Sequence, residues 1–84
     1  MANDQILEHL TSIFRDVFED DELNLTPRTT SDDVPGWDSM SNITLTIEIE
    51  HRFGIKVRTA EMEALRNVAD IIDLVKTRMT SVAP

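Results

Sequence analysis

Apolar residues recur along the N-terminal segment at three- and four-residue spacing: Ile6, Leu7, Leu10, Ile13, Phe14 and Val17, with polar residues between them. That period marks one face of an α-helix. It predicts a helix over 3–18, capped by Asn3 or Asp4. Glu19-Asp20-Asp21-Glu22 follows at once. Four acids at a helix C-terminus oppose the macrodipole, so the helix is expected to stop there. Residues 19–37 contain Pro27, Pro35, Gly36 and many Thr, Ser and Asp residues, and read as a long loop anchored by Leu23, Leu25 and Val34. Loops of this length are uncommon in compact domains and are often functional. Near the other end, Val68, Ile71, Ile72, Val75 and Met79 form a second stripe, with Asn67 ahead of it and Lys76 and Arg78 in its last turns. These signals predict a helix over 67–80 capped by Asn67. Between 59 and 65, Thr-Ala-Glu-Met-Glu-Ala-Leu reads as a short helix opened by a threonine.

The middle of the chain supports two readings. Residues 43–50, Ile-Thr-Leu-Thr-Ile-Glu-Ile-Glu, alternate strictly and are rich in β-branched side chains, the pattern of a half-buried strand. Wound as a helix from Ser39, the same residues divide into two faces. Leu45, Ile49 and Phe53 fall at about 240°, 280° and 320°, and Ile43, Ile47 and Met40 at about 40°, 80° and 100°. Two arguments favour a helix over 38–53. Asp38 is a good cap, and the chain offers no convincing second strand for an isolated first one to pair with.

With 84 residues, there is room for one domain. Hydrophobic residues make up 40 % and charged residues 29 %, too apolar for outright disorder and too polar for a membrane protein. A chain this short buries roughly 60–65 % of its unfolded surface, which leaves no room for a deep substrate pocket. Its apolar runs are too short to span a bilayer and the charged N-terminal residues argue against a secretory signal, so a soluble cytoplasmic domain, monomeric and not inserted in a membrane, is expected. The lack of cysteine removes disulfides, thiol nucleophiles and thiolate zinc sites, and two histidines do not make a metal cage.

Sixteen acids against eight bases give a net charge of −8. That disfavours nucleic acid, whose phosphates need a basic face, and anionic lipid surfaces. The charge is also uneven. Residues 1–42 hold ten acids and two bases, a net of −8, and residues 43–84 hold six of each, a net of zero. Basic protein surfaces are the partners that such a field attracts.

Candidate chemistry centres on Gly36-Trp37-Asp38-Ser39-Met40, with Phe53-Gly54-Ile55 beginning fourteen residues after the serine. Here the chain resembles the acyl carrier protein family, whose members carry Asp-Ser-Leu or Asp-Ser-Met at the start of their second helix and often a Phe-Gly-Ile-type sequence at its end. The resemblance spans nearly the whole chain. It implies an all-α, four-helix bundle of three main helices and a short third one. It further implies that a phosphopantetheinyl transferase joins the 4′-phosphopantetheine arm of coenzyme A to Ser39, with Asp38 serving as cap and in transferase recognition. Met40, Ile43, Ile47 and Glu50 are then the candidate docking residues for enzymes that load, transfer or extend the acyl group through basic surfaces.

The residues themselves agree with this chemistry. A serine in the first helical turn presents its hydroxyl to solvent, and unpaired N–H groups there stabilise a phosphodiester anion. The arm's own thiol would explain thioester chemistry on a cysteine-free chain. Blander roles stand beside each assignment. Trp37 suits a loop anchor, Met40, Ile43 and Ile47 could pack under the short helix, and Glu48 and Glu50 could simply be solvated. Catalysis is excluded by geometry. His51 lies twelve residues beyond Ser39 on one helix, roughly 18 Å away, where a nucleophile and its base need contact.

Ser41, Thr44 and His51 stand where family members often carry acids, and the negative charge sits in the first helix and the loop instead. The expected role is a stand-alone carrier in fatty acid, polyketide or specialised lipid or secondary-metabolite biosynthesis. That departure looks more like a specialised carrier, for a polyketide, lipid-modification or sugar-acylation route, than the housekeeping one. An aminoacyl or peptidyl carrier and an unmodified acidic adaptor are the alternatives. The expected core is Leu10, Phe14, Leu45, Ile49, Phe53, Ile71 and Val75.

Overall fold

The computed structural model describes residues 2–82. Four α-helices follow one another: α1 (Asn3–Phe18), α2 (Ser39–Phe53), α3 (Thr59–Glu63) and α4 (Val68–Val82). α1 packs against α2 and α4, and α3 packs against α2. Leu10, Phe14, Leu45, Ile49, Ile71 and Val75 are fully buried, as the apolar stripes predict. Phe53 is the correction to that core. It is half-buried and lies edge-on to His9 with ring centroids 5.7 Å apart, because it stands in the last turn of α2 at the rim of the bundle.

The helix boundaries show which local signals prevail. α1 is capped by Ala2, not by Asn3 or Asp4. The side chain of Gln5 reaches back to accept the Ala2 N–H at 2.9 Å, which leaves Asp4 inside the first turn where its charge complements the helix dipole. α1 ends before the acidic run, with Glu19 in the left-handed conformation at φ 52°. α2 begins at Ser39 with Asp38 just outside as its cap. α3 is shorter than expected and is preceded by Arg58 rather than opened by Thr59 as cap. Glu61 accepts the Arg58 N–H at 3.1 Å, and the Leu65 N–H turns to the Met62 carbonyl, which tightens the exit. Asn67 does cap α4, accepting the Asp70 N–H at 3.0 Å.

The segment between α1 and α2 is anchored rather than loose. Leu25 and Val34 are buried and Leu23 is half-buried. Arg15 holds the Leu23 carbonyl at 2.7 Å and the Asn24 side chain at 2.8 Å. A short 3-10 turn, Ser31–Asp33, interrupts the segment. The Thr29 and Pro27 carbonyls accept the N–H groups of Val68 and Ala69, each at 2.9 Å. They satisfy two of the donors that the start of α4 leaves open.

The alternating middle segment is a helix. Leu45 and Ile49 are fully buried, and Ile43 and Ile47 are each 51 % exposed. Alternation here arises from two apolar helix faces, one turned to the core and one to solvent.

Candidate phosphopantetheine attachment site

Ser39 is the first residue of α2, and it is exposed. Asp38 fixes it there. One carboxylate oxygen of Asp38 accepts the N–H groups of Met40 and Ser41, each at 3.0 Å. The Asp38 N–H in turn donates to the Ser41 hydroxyl at 2.8 Å, a reciprocal capping box. This revises the expectation of open donors for a phosphodiester. Two of the helix-terminal N–H groups are held by the Asp38 carboxylate, so part of the anion-binding capacity of the terminus is already satisfied.

Before the serine, Gly36 adopts φ +89°, a conformation that suits glycine, and turns the chain into α2. Trp37 is the loop anchor that its size suggested. Its ring meets fully buried Phe14 edge-to-face at 5.0 Å, and its indole N–H donates to the Asn42 side-chain carbonyl at 2.6 Å. Asn42 and Thr46 are both buried, and the Thr46 hydroxyl donates back to the Asn42 backbone carbonyl at 2.6 Å.

A cleft of about 340 Å³ opens beside Ser39, between the start of α2 and the α3–α4 link. Trp37, Asp38, Asn42, Met62, Leu65 and Arg66 line it, with Ser31 and Glu63 at its sides. These residues fit a phosphopantetheine arm. The Ser39 hydroxyl is accessible, Arg66 lines the same cleft, and groups of both signs there offer hydrogen bonds to amides. Sequence reasoning missed Arg66, which no local pattern ties to Ser39. A more open groove of about 680 Å³ along α1 and the following loop touches none of the predicted site residues.

Met40, Ile43 and Ile47 are exposed, Met40 to 79 %. They do not pack under α3, where Met62 is the buried residue instead. Glu50 is half-buried, and its carboxylate accepts the Val57 N–H at 3.1 Å. The structure therefore places Ser39 and Asp38 at the start of α2 and the apolar trio along the exposed face of the same helix, while Glu50 is engaged with the α2–α3 connection.

The family profile described as "Phosphopantetheine attachment site" matches residues 8–75, which include all of α2 and α3. The chain belongs to the acyl carrier protein family. Acyl carrier protein 2 of Ralstonia nicotianae is 27 % identical over 81 residues, covering 96 % of this chain and all of that one. The acyl carrier protein of Thermotoga maritima is 27 % identical over 78 residues, with 93 % and 96 % of the two chains covered. The fold is similar to the solution NMR structure of holo acyl carrier protein from Geobacter metallireducens, with a TM-score of 0.79, 40 % identity, and 89 % and 86 % of the two chains covered. As a member of this family the protein is a carrier rather than a catalyst, and its cofactor is covalently attached 4′-phosphopantetheine. This acyl carrier protein works with transferases and synthases, the enzymes that the family serves. No helix among its described residues is long and apolar enough to cross a membrane.

Proposed function

We propose that Ser39 bears the phosphopantetheine arm and that the protein carries acyl intermediates in a specialised biosynthetic pathway of the lipid, polyketide or secondary-metabolite kind. The observation that carries this reading is the exposed Ser39 at the start of α2, beside a tightly held Asp38 and at the mouth of the Arg66-lined cleft. In the transfer, the Ser39 oxygen bonds to the β-phosphorus of coenzyme A, adenosine 3′,5′-bisphosphate leaves, and the serine proton passes to the transferase. Once attached, the arm supplies a thiol that holds acyl groups as thioesters. Asp38 keeps the first turn of α2 in register for this reaction, and Arg66 offsets the phosphodiester charge. Met40, Ile43 and Ile47 form the apolar face on which partner enzymes dock, and basic surfaces on those enzymes answer the acids of α1 and the following loop. Glu50 contributes to docking through the carboxylate oxygen not held by Val57.

One experiment tests the assignment of the arm to Ser39. Intact mass is measured after incubation with coenzyme A and a broad-specificity phosphopantetheinyl transferase, with Ser39→Ala in parallel. A gain of one phosphopantetheine that the variant lacks supports the carrier reading. A modified Ser39→Ala protein would move the attachment elsewhere. A folded wild type that gains no mass under the same conditions would overturn the assignment.

A further inference from the structure

The cleft beside Ser39 has a mixed lining of apolar, polar and charged side chains. An alkyl chain tethered at Ser39 would gain by leaving water, and the adjoining cleft, lined from both α2 and α3, is the nearest place to do so. Trp37, Asn42 and Met62 are the least exposed of the residues that line it, together with Leu65. Met62 is 2 % exposed and Asn42 is 9 % exposed. The indole N–H of Trp37 donates to the Asn42 side-chain carbonyl at 2.6 Å, and one turn on, the buried Thr46 hydroxyl donates to the Asn42 backbone carbonyl. Behind the indole ring stands fully buried Phe14.

Entry of a long chain would part Trp37 from Asn42 and strand an indole N–H and a side-chain carbonyl against hydrocarbon. Among the described residues, no buried side-chain nitrogen or oxygen lacks a partner, and parting this pair against hydrocarbon would cost the bond and leave both groups unsatisfied. The cleft walls point the same way. Ser31, Asp38, Glu63 and Arg66 offer donors and acceptors of both charges, which favour a polar group over a methylene run.

Resting on the assignment of the arm to Ser39, we propose that this carrier serves short, polar acyl groups held at the surface, and that the Trp37–Asn42 hydrogen bond bars long aliphatic cargo from the bundle.

The test loads the full chain from acetyl-, butyryl-, 3-hydroxybutyryl- and octanoyl-coenzyme A with a broad-specificity transferase, confirms each product by intact mass, and compares amide spectra. Octanoyl is expected to leave the amides of Leu45, Ile49, Ile71 and Val75 where acetyl leaves them. The 3-hydroxybutyryl form is expected to shift the Trp37 indole and the Asn42 and Arg66 signals more than butyryl does. A paired Trp37→Phe, Asn42→Leu variant, shown to be folded by circular dichroism, is expected to admit octanoyl and shift the core amides. Octanoyl-induced core shifts in the wild type would overturn the inference, as would identical spectra for butyryl and 3-hydroxybutyryl. Core amides that stay silent in the paired variant would overturn the role of this hydrogen bond. A failure of the serine assignment looks different, since no acyl mass would then appear on Ser39 at all.

Discussion

Arg78, well along α4, grips Glu61 of α3 through its guanidinium, and its other terminal nitrogen donates to the Lys56 carbonyl at 2.8 Å. One side chain thereby ties both the short helix and the segment leading into it to the C-terminal helix. α3 has only five residues, too few to be stable alone, so its position depends on such tertiary ties and on buried Met62.

The tether predicts a pH response. The Arg78 hydrogen bond, and after it the Arg58 N–H, hold the Glu61 carboxyl below its ordinary value. The folded form therefore favours the ionised group. Its stabilisation is complete above the ordinary carboxylate range and is lost as pH falls through the depressed folded value. Hydrogen exchange of the α3 amides is expected to quicken on acidification in the wild type. In Glu61→Gln it should already be fast at neutral pH and change less with acid. Equal pH profiles for the two proteins would contradict the assignment.

Removing the cap of α2 tests the foundation of the site. Asp38→Ala loses two backbone hydrogen bonds at the helix start and is expected to destabilise by about 1 kcal/mol, with Asp38→Asn recovering most of the loss. Urea unfolding measures both. The alanine variant should also be modified more slowly by the transferase, since the turn that carries Ser39 frays first.

Two chain reversals predict opposite signs. Glu19 closes α1 in the left-handed conformation, and as an acid it also opposes the helix dipole. Glu19→Gly is expected to stabilise by about 1 kcal/mol. Gly54 closes α2 at φ +65°, with open space where a Cβ would project. Gly54→Ala is thus expected to cost about 1 kcal/mol from backbone strain alone. Thermal or urea unfolding of the two variants checks the pair.

The two faces of α2 should separate stability from function. Leu45→Ala empties a fully buried site and is expected to cost about 2–5 kcal/mol, enough to unfold much of a domain this small. Met40→Ala, at a residue 79 % exposed, is expected to change stability by less than about 0.5 kcal/mol. It should nevertheless raise the KM of the transferase and partner enzymes for this carrier. Unchanged KM values would remove Met40 from the docking face.

Much of this architecture is legible along the chain. The stripes of α1 and α4, the Asn67 and Asp38 caps and the Asp-Ser step into α2 are local patterns, and local hydrogen bonds with one apolar face suffice to set them. The alternating residues 43–50 were ambiguous because Ile43 and Ile47 mimic the buried half of a strand. Their partial exposure on a helix shows that apolar character served an outward face, which periodicity by itself does not distinguish from a core.

The sequence alone determined an acidic, cysteine-free, helical domain with a serine at a capped helix start, because composition, periodicity and capping act over a few residues. Tertiary structure decided the rest. It drew Arg66 and Met62 to the cleft beside Ser39, turned Glu50 to the Val57 N–H, bonded Trp37 to Asn42 in the cleft lining, and fastened α3 through Arg78. These pairings depend on how the helices pack and on the rule that buried polar groups must find partners, and those constraints exist only once distant parts of the chain have come together.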